Sequence, residues 1–437
     1  MDKKLFYKLA AIGLMALLLL IPLSMVEDQI RGRSQRQQEV QAGIAHQAAG
    51  EQTLSGPVLL LRYRELVEMP PDREHPSSRQ VYVERQRMIP PTEWQLDGES
   101  TVETRQRGIY QARLFRLQAQ NQGLFLLKPL SEESARNRII DVRASLQVGL
   151  SDLRGIGNDP KLTVNGKTYR FSETSAAKES GLRRISVDLG NLDPTQAQRL
   201  EFSFPLQLSG SARLAIAPTA EANRIHLKSD WPHPNFGGRF LPQTRTVSHS
   251  GFEAQWEISH LARNFDATQT AHSDEVLGIS FIDPVNVYLQ AERAVKYGVL
   301  FVALTFAGFF LTEILRQAPI HPMQYLLVGL ALAVFFLLLI AFSEHLAFVK
   351  AYGLAAAACI GLIAYYLAGA LGGWQRGLAF GGGLTGLYGV LYGVLLSEDN
   401  ALLMGSVLLF LALATVMLAT RRLNWYALGQ RLNGEPT

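Results

Sequence analysis

The sequence predicts a membrane protein with one N-terminal transmembrane helix, a large β-rich, sandwich-like aqueous domain and a C-terminal bundle of five transmembrane helices. Three observations predict this. Residues 27–296 are polar and charge-rich whereas 297–420 are mostly apolar, a segregation foreign to water-soluble chains. An apolar run also follows Lys3, Lys4 and Lys8 near the N-terminus. The polar stretch between them alternates apolar and polar residues with period two, as half-buried antiparallel strands do.

The N-terminal run, residues 9–26, reads as a signal peptide or an uncleaved anchor. It ends "IPLSMVED", with Leu23 and Met25 where a cleavage site wants small residues. Its length also matches the hydrocarbon core of a bilayer. Residues 1–26 are therefore expected to be an anchor, followed over 27–55 by a helical, weakly amphipathic stalk.

The β-rich domain is expected over 56–296, as two packed sheets or one long twisted one. Segments 56–66, 79–88, 138–150, 183–190 and 199–210 alternate, and 211–218 and 223–229 add two more strands. Asn165-Gly166 between β-prone runs signals a hairpin. Segments 251–259 and 275–290 lead back to the membrane.

The five C-terminal spans are expected at 297–315, 323–342, 346–370, 378–396 and 401–420, each near the length a spanning helix needs. The glycine-rich 381–394 suits close helix packing in lipid. Six spans place both ends of the chain on one side. Arg316, Arg376, Arg421 and Arg422 share that side with Lys3 and Lys4, while Glu344, Glu398 and Asp399 fall opposite, with Lys350 as the contrary charge. Arg31, Arg33 and Arg36 belong to the long domain, which translocates largely regardless of charge. The termini and the 421–437 tail are expected in the cytoplasm of a bacterial inner-membrane protein and the large domain in the periplasm.

The net charge of +4 is spread thinly, with no basic run interleaved with aromatics, so nucleic acid is excluded as a partner. The single cysteine, Cys359, forms no intrachain disulfide. His226, His233 and His249 lack metal-ligand spacing, so no metal or cofactor is expected. "GKT" at 166–168 imitates the end of a phosphate loop but lacks its first glycine. No serine-hydrolase elbow or HExxH motif occurs, so no catalytic residue is assigned.

Two motifs remain. "SDWPHPNFGGRFLP", residues 229–242, joins three prolines and two glycines to aromatic and basic side chains. Trp231, His233, Phe236, Arg239 and Phe240 read either as a recognition patch or as a buried corner in which Trp231 plugs the core. "DLRGIG", residues 152–157, puts Asp152 and Arg154 on one face if extended. It reads as an ion pair beside a turn or as an anion-holding loop. In the membrane part, Glu313 lies three residues before Arg316, the spacing of a local helix ion pair. His345 beside Glu344 reads as a loop-edge pair.

The strings "GIYQARL", "DLRGIG", "SDWPHPNFGGRFLP", "SGFEAQW", "RAVKYGVLFVALTF", "HPMQYLLVGLAL", "FSEH" and "RRLNWYAL" resemble the CreD-type inner-membrane proteins over nearly the whole length. The resemblance implies one N-terminal span, a periplasmic domain, a membrane bundle and a role in cell-envelope integrity, envelope stress or colicin tolerance. It implies no catalytic residue. The expected partners are the lipid bilayer and an envelope component or membrane protein bound by the periplasmic domain. Transport or lipid handling by the bundle, and a membrane-bound envelope hydrolase, are the alternatives.

Overall fold

The computed structural model describes residues 3–69, 78–130, 138–174, 182–262, 275–281, 286–316, 320–370, 372–396 and 401–421. Glu398, Asp399 and Arg422 and the tail beyond lie outside the described residues. The chain divides into two units: a helical one, Met1–Gln38 with Val285–Thr437, and a β unit, Glu39–Pro284. These limits differ from the expected 56–296. The last turns of the N-terminal helix pack Val40, Ile44 and Ala48 on Ala112 and Leu114 of the β unit, and the first C-terminal helix starts at Val287.

Among the described residues the β unit holds two eight-stranded sheets. The first runs β13 (Pro234–Gly238), β16 (Leu277–Phe281), β11 (Arg213–Ala217), β1 (Gln52–Met69), β5 (Arg138–Leu150), β9 (Arg183–Asn191) and β8 (Ser172–Thr174), with β2 (Arg79–Ile89) also paired to β1. The second runs β14 (Thr244–Ser248), β15 (Gly251–Ser259), β12 (Ala222–Ser229), β3 (Glu93–Arg107), β4 (Tyr110–Leu127), β10 (Gln198–Ser211), β6 (Lys161–Val164) and β7 (Lys167–Arg170). Parallel pairing joins β1 to β11 and β3 to β12; the other pairs are antiparallel. Asn165 and Gly166 both have positive φ, 45° and 81°, so the β6–β7 hairpin has the turn that its Asn-Gly pair favours.

The inner faces of both sheets share one apolar cluster, with Leu59, Leu61 and Leu146 from the first sheet and Trp94, Phe115 and Trp256 from the second. Phe115 meets Phe281 of the other sheet at 5.2 Å. Each such side chain contributes roughly 1.5–3 kcal/mol over its exposed state. Gly56 is required by this packing, because a Cβ there would lie 2.5 Å from the Trp94 ring.

The helical unit begins with α1 (Lys3–Leu18) and α2 (Leu20–Ala48). They meet at a one-residue break below Pro22, which has no N–H to continue the ladder. From Ala10 to Ala48 they make a 39-residue helix apolar enough to cross a membrane. The C-terminal part holds α3 (Val287–Lys296), α4 (Gly298–Arg316), α5 (Pro322–Ser343), α6 (Phe348–Ala370), α7 (Trp374–Leu396) and α8 (Ala401–Thr420).

Among the described residues, four helices are long and apolar enough to span a bilayer, and α3 with α4, bent by 44°, makes a fifth if counted as one span. Leu403–Leu418 of α8 is a shorter apolar helix. The expected span at 297–315 is thus preceded by an amphipathic turn-in, α3, capped by Asn286, whose side chain accepts from the Tyr288 and Leu289 amides. Pro322 at N1 and a capping box between His321 and Gln324 start α5.

Two carboxylates tie the N-terminal helix to this bundle. Glu313 accepts hydrogen bonds from Lys8, from the Tyr325 hydroxyl at 3.1 Å and from the Ile320 amide at 3.2 Å. The Glu313 carboxylate thus faces α1 and α5; the Arg316 side chain, its expected local partner, lies outside the described residues. Glu344, which caps α5, lies 3.5 Å from the Arg33 guanidinium and accepts from the Tyr288 hydroxyl at 3.3 Å. Both carboxylates are about nine-tenths buried, with 10% and 9% of their side chains exposed.

Candidate functional site

The 229–242 segment is a corner between sheets. It leaves β12 in the second sheet, forms β13 at the edge of the first, and returns to β14 at the edge of the second. Gly238, at φ 85°, permits the crossing, since a Cβ there would lie 2.1 Å from the Val276 carbonyl oxygen. Trp231, Phe236 and Phe240 are partly buried against the shared core. Phe236 meets Phe252 and Trp256 edge-on at 5.4 and 5.9 Å. The Trp256 indole donates to the Phe240 carbonyl at 3.2 Å, and that of Trp231 to the His233 carbonyl at 2.9 Å. The Arg113 guanidinium lies 4.9 Å from the centre of the Trp231 ring, a cation–π distance.

His233 and Arg239 are exposed, and Arg239 pairs with Glu275 at 2.6 Å. The five residues therefore divide: three aromatics turn toward the core, and two polar side chains face solvent.

Asp152 and Arg154 do not sit on a strand, as the extended reading supposed. Asp152 caps a 3-10 turn, Leu153–Gly155, and accepts from the Arg154 amide. Both of its carboxylate oxygens receive the Arg154 side chain, at 2.6–3.1 Å. That pairing holds the Asp152 carboxyl below the usual carboxylate range. Arg154 also donates to the His46 carbonyl at 2.9 Å. The Gly155 and Gly157 amides donate to Asp152 and Gln207 carbonyls, so the donors an anion would need are engaged. Among the described residues no hydrogen bond joins this turn to the 229–242 corner.

A third site was not read from the sequence. Register brings Arg224 of β12 beside Gln95 of β3, Gln95 beside Gln122 of β4, Gln122 beside Ser203 of β10, and Ser203 beside Thr163 of β6. Their chain neighbours Trp94, Phe202 and Leu162 are buried, so the row lies on the outer face. Strand spacing makes it roughly 19 Å long.

A groove of about 460 Å³ follows this row, within the usual range for small-molecule sites. The Asn165–Gly166 turn forms its rim, held to β10 because Asn165 donates to the Arg199 carbonyl and accepts from the Glu201 amide, both at 2.9 Å. Glu93 and Glu201 balance Arg199 and Arg224 along the walls, and Arg199 pairs with Glu201 at 2.8 Å. The Arg224, Gln122, Ser203 and Thr163 side chains have no polar partner among the described residues. No cluster of three or more metal-ligating side chains occurs among the described residues.

The family model described as inner membrane protein CreD matches residues 4–426. The inner membrane protein CreD of Escherichia coli (strain K12) is 34% identical over 429 residues, covering 97% of this chain and 94% of that protein. Among solved structures, a putative nutrient binding protein from Legionella pneumophila subsp. pneumophila str. Philadelphia 1 aligns with a TM-score of 0.27 and 9% identity, over 59% of this chain and 79% of that one. An M1 zinc metallopeptidase from Deinococcus radiodurans gives 0.19 and 9%, over 44% and 42%. At such scores neither structural likeness bears on function. The family match and the full-length relative together place the chain in the CreD family of inner membrane proteins.

Proposed function

We propose that this inner-membrane protein supports the cell envelope by holding a glycan segment of it in the outer-face groove of a sandwich-like periplasmic β unit. The carrying observation is the row of Arg224, Gln95, Gln122, Ser203 and Thr163, in register across five strands. Amide and hydroxyl side chains each offer a donor and an acceptor, which suits the paired hydroxyls of a sugar. The balance of two acids and two arginines favours an uncharged polyol over a strong anion or cation.

Buried polar groups would not be left in such a row, whereas solvated ones wait on water until a ligand replaces it. The periplasmic placement is supported by arginines at the helix ends: Arg316 ends α4, Arg376 lies in the first turn of α7 and Arg421 follows α8, on the side that Lys8 shares through Glu313. The 229–242 corner and the Asp152–Arg154 pair serve in this reading as structural supports of the two sheets.

The test is binding of soluble cell-wall oligosaccharides by the detergent-purified full chain. Wild type should retain them, and Arg224→Ala combined with Gln122→Ala should weaken binding about tenfold or more, the loss of two hydrogen-bonding side chains. Absence of binding by wild type, or equal binding by the double variant, contradicts the assignment.

A further inference from the structure

The helical unit contains a cavity of about 590 Å³ walled by α4, α7 and α8. Its lining is apolar over most of its length. The hydroxyls on its wall are turned back onto their own helices: Thr305 donates to the Phe301 carbonyl, Thr312 to that of Gly308 and Thr415 to that of Leu411. Two glycines of α7 create the space. A Cβ added at Gly383 or Gly386 would meet nothing within 4 Å, whereas one at Gly377 would lie 2.5 Å from the Ala364 carbonyl oxygen. The glycine-rich helix thus packs tightly against α6 through one set of glycines and opens the cavity with another.

The α7 wall runs from Arg376 to Val390, roughly 21 Å along the helix axis, which matches an extended acyl chain reaching inward from the membrane surface. One mouth is basic. Arg376 belongs to the lining, and Arg316 and Arg421 end the other two walls at the same level, since α4 and α8 finish where α7 begins.

From this we infer that the cavity is a binding site for an anionic phospholipid, one acyl chain lying between α4, α7 and α8 and the headgroup phosphate at Arg376. Basic pockets between transmembrane helices select acidic headgroups by this charge match, while the apolar walls accept any saturated tail.

The experiment uses the full chain in detergent, offered phosphatidylglycerol or phosphatidylcholine with identical tails, with bound lipid counted by native mass spectrometry. Wild type should hold phosphatidylglycerol about fivefold or more over phosphatidylcholine, the selectivity expected from one arginine near the headgroup. Arg376→Gln should erase that preference while lipid is still bound, and Arg376→Lys should keep it. Gly383→Leu should remove binding of both lipids, because its side chain fills the cavity. Equal retention of the two lipids by wild type overturns the proposal. So does an unchanged preference in Arg376→Gln, or a Gly383→Leu protein that still selects phosphatidylglycerol, which would mean that the headgroup binds without the cavity.

Discussion

The two buried carboxylates of the helical unit and the solvated ion pairs of the β unit use charge differently. In the helical unit Glu313 and Glu344 are nearly buried and reach partners, Lys8 and Arg33, 305 and 311 positions away in the chain. Each carboxylate also receives a tyrosine hydroxyl from another helix. In the β unit the pairs Asp152–Arg154, Glu201–Arg199 and Glu173–Arg183 join residues two to ten positions apart, with at least one side chain more than half exposed. Where water is excluded, a charge must find a partner wherever the fold supplies one. Where water is present, the pair is screened and adds little to stability whatever its span in the chain.

The two clamps have a geometric consequence. Lys8 and Arg33 are 25 positions apart, roughly 37 Å along a helix, which exceeds the hydrocarbon thickness of a bilayer. One clamp therefore sits at each membrane face. Glu313 near the end of α4 and Glu344 at the end of α5 meet this requirement because those helices run antiparallel. The N-terminal helix is thereby built into the bundle at both ends, rather than serving only as a leash.

The largest effect should follow from breaking a clamp. Glu313→Ala leaves the Lys8 ammonium without its counter-charge in a nearly closed site, a loss of about 3–5 kcal/mol. A marked fall in the melting temperature of the detergent-purified chain checks it. Joining Lys8→Met to Glu313→Leu should recover most of the loss, since no charge is then left unpaired. If Glu313→Ala melts like wild type, the carboxylate is as solvated as those of the β unit and the contrast fails.

A smaller effect is expected from Asp152→Asn, below about 1 kcal/mol at neutral pH, as for other solvated pairs. Its pH dependence sharpens the comparison. The Arg154 side chain depresses the folded-state pKa of Asp152 below its ordinary 3.8, so the stabilisation is present above that value and is lost as pH falls through the folded pKa. The difference in melting temperature between wild type and Asp152→Asn should hold from neutral pH down to about pH 4 and close below it. A difference that grows on acidification would contradict this sign.

Much of the fold was legible. Alternation revealed β5, β9 and β10, and Asn165-Gly166 gave its hairpin. The central pair β3 and β4 was not read, although β4 alternates from Phe115 onward. Its inward positions carry Ala119, Asn121 and Gly123 among the large apolar residues. Asn121 is buried and accepts from the Trp94 indole at 3.2 Å, and position 123 requires glycine because a Cβ would meet the Glu93 carbonyl oxygen at 2.2 Å. Both needs arise from the neighbouring strands and leave no local trace.

The candidate site was less legible for the same reason. The row from Arg224 to Thr163 depends on a parallel pairing of β12 with β3, which no local pattern announces. Glu313 shows the same limit: its spacing to Arg316 pointed only to a local pair, and nothing nearby in the chain announces its partner Lys8, 305 positions away. The 229–242 corner drew attention by composition alone, and its prolines and glycines prove to serve a change of sheet.

The side of the membrane on which the β unit stands is the claim on which the envelope reading depends most. It is tested by labelling single-cysteine variants in the Cys359→Ala background with a membrane-impermeant maleimide, in cells whose outer membrane has been permeabilised. Lys167→Cys, on the exposed β6–β7 hairpin, should react while the inner membrane is intact, and Arg421→Cys, after α8, only once the inner membrane is broken. Labelling of Arg421→Cys while the inner membrane is intact, with Lys167→Cys protected, would contradict the account.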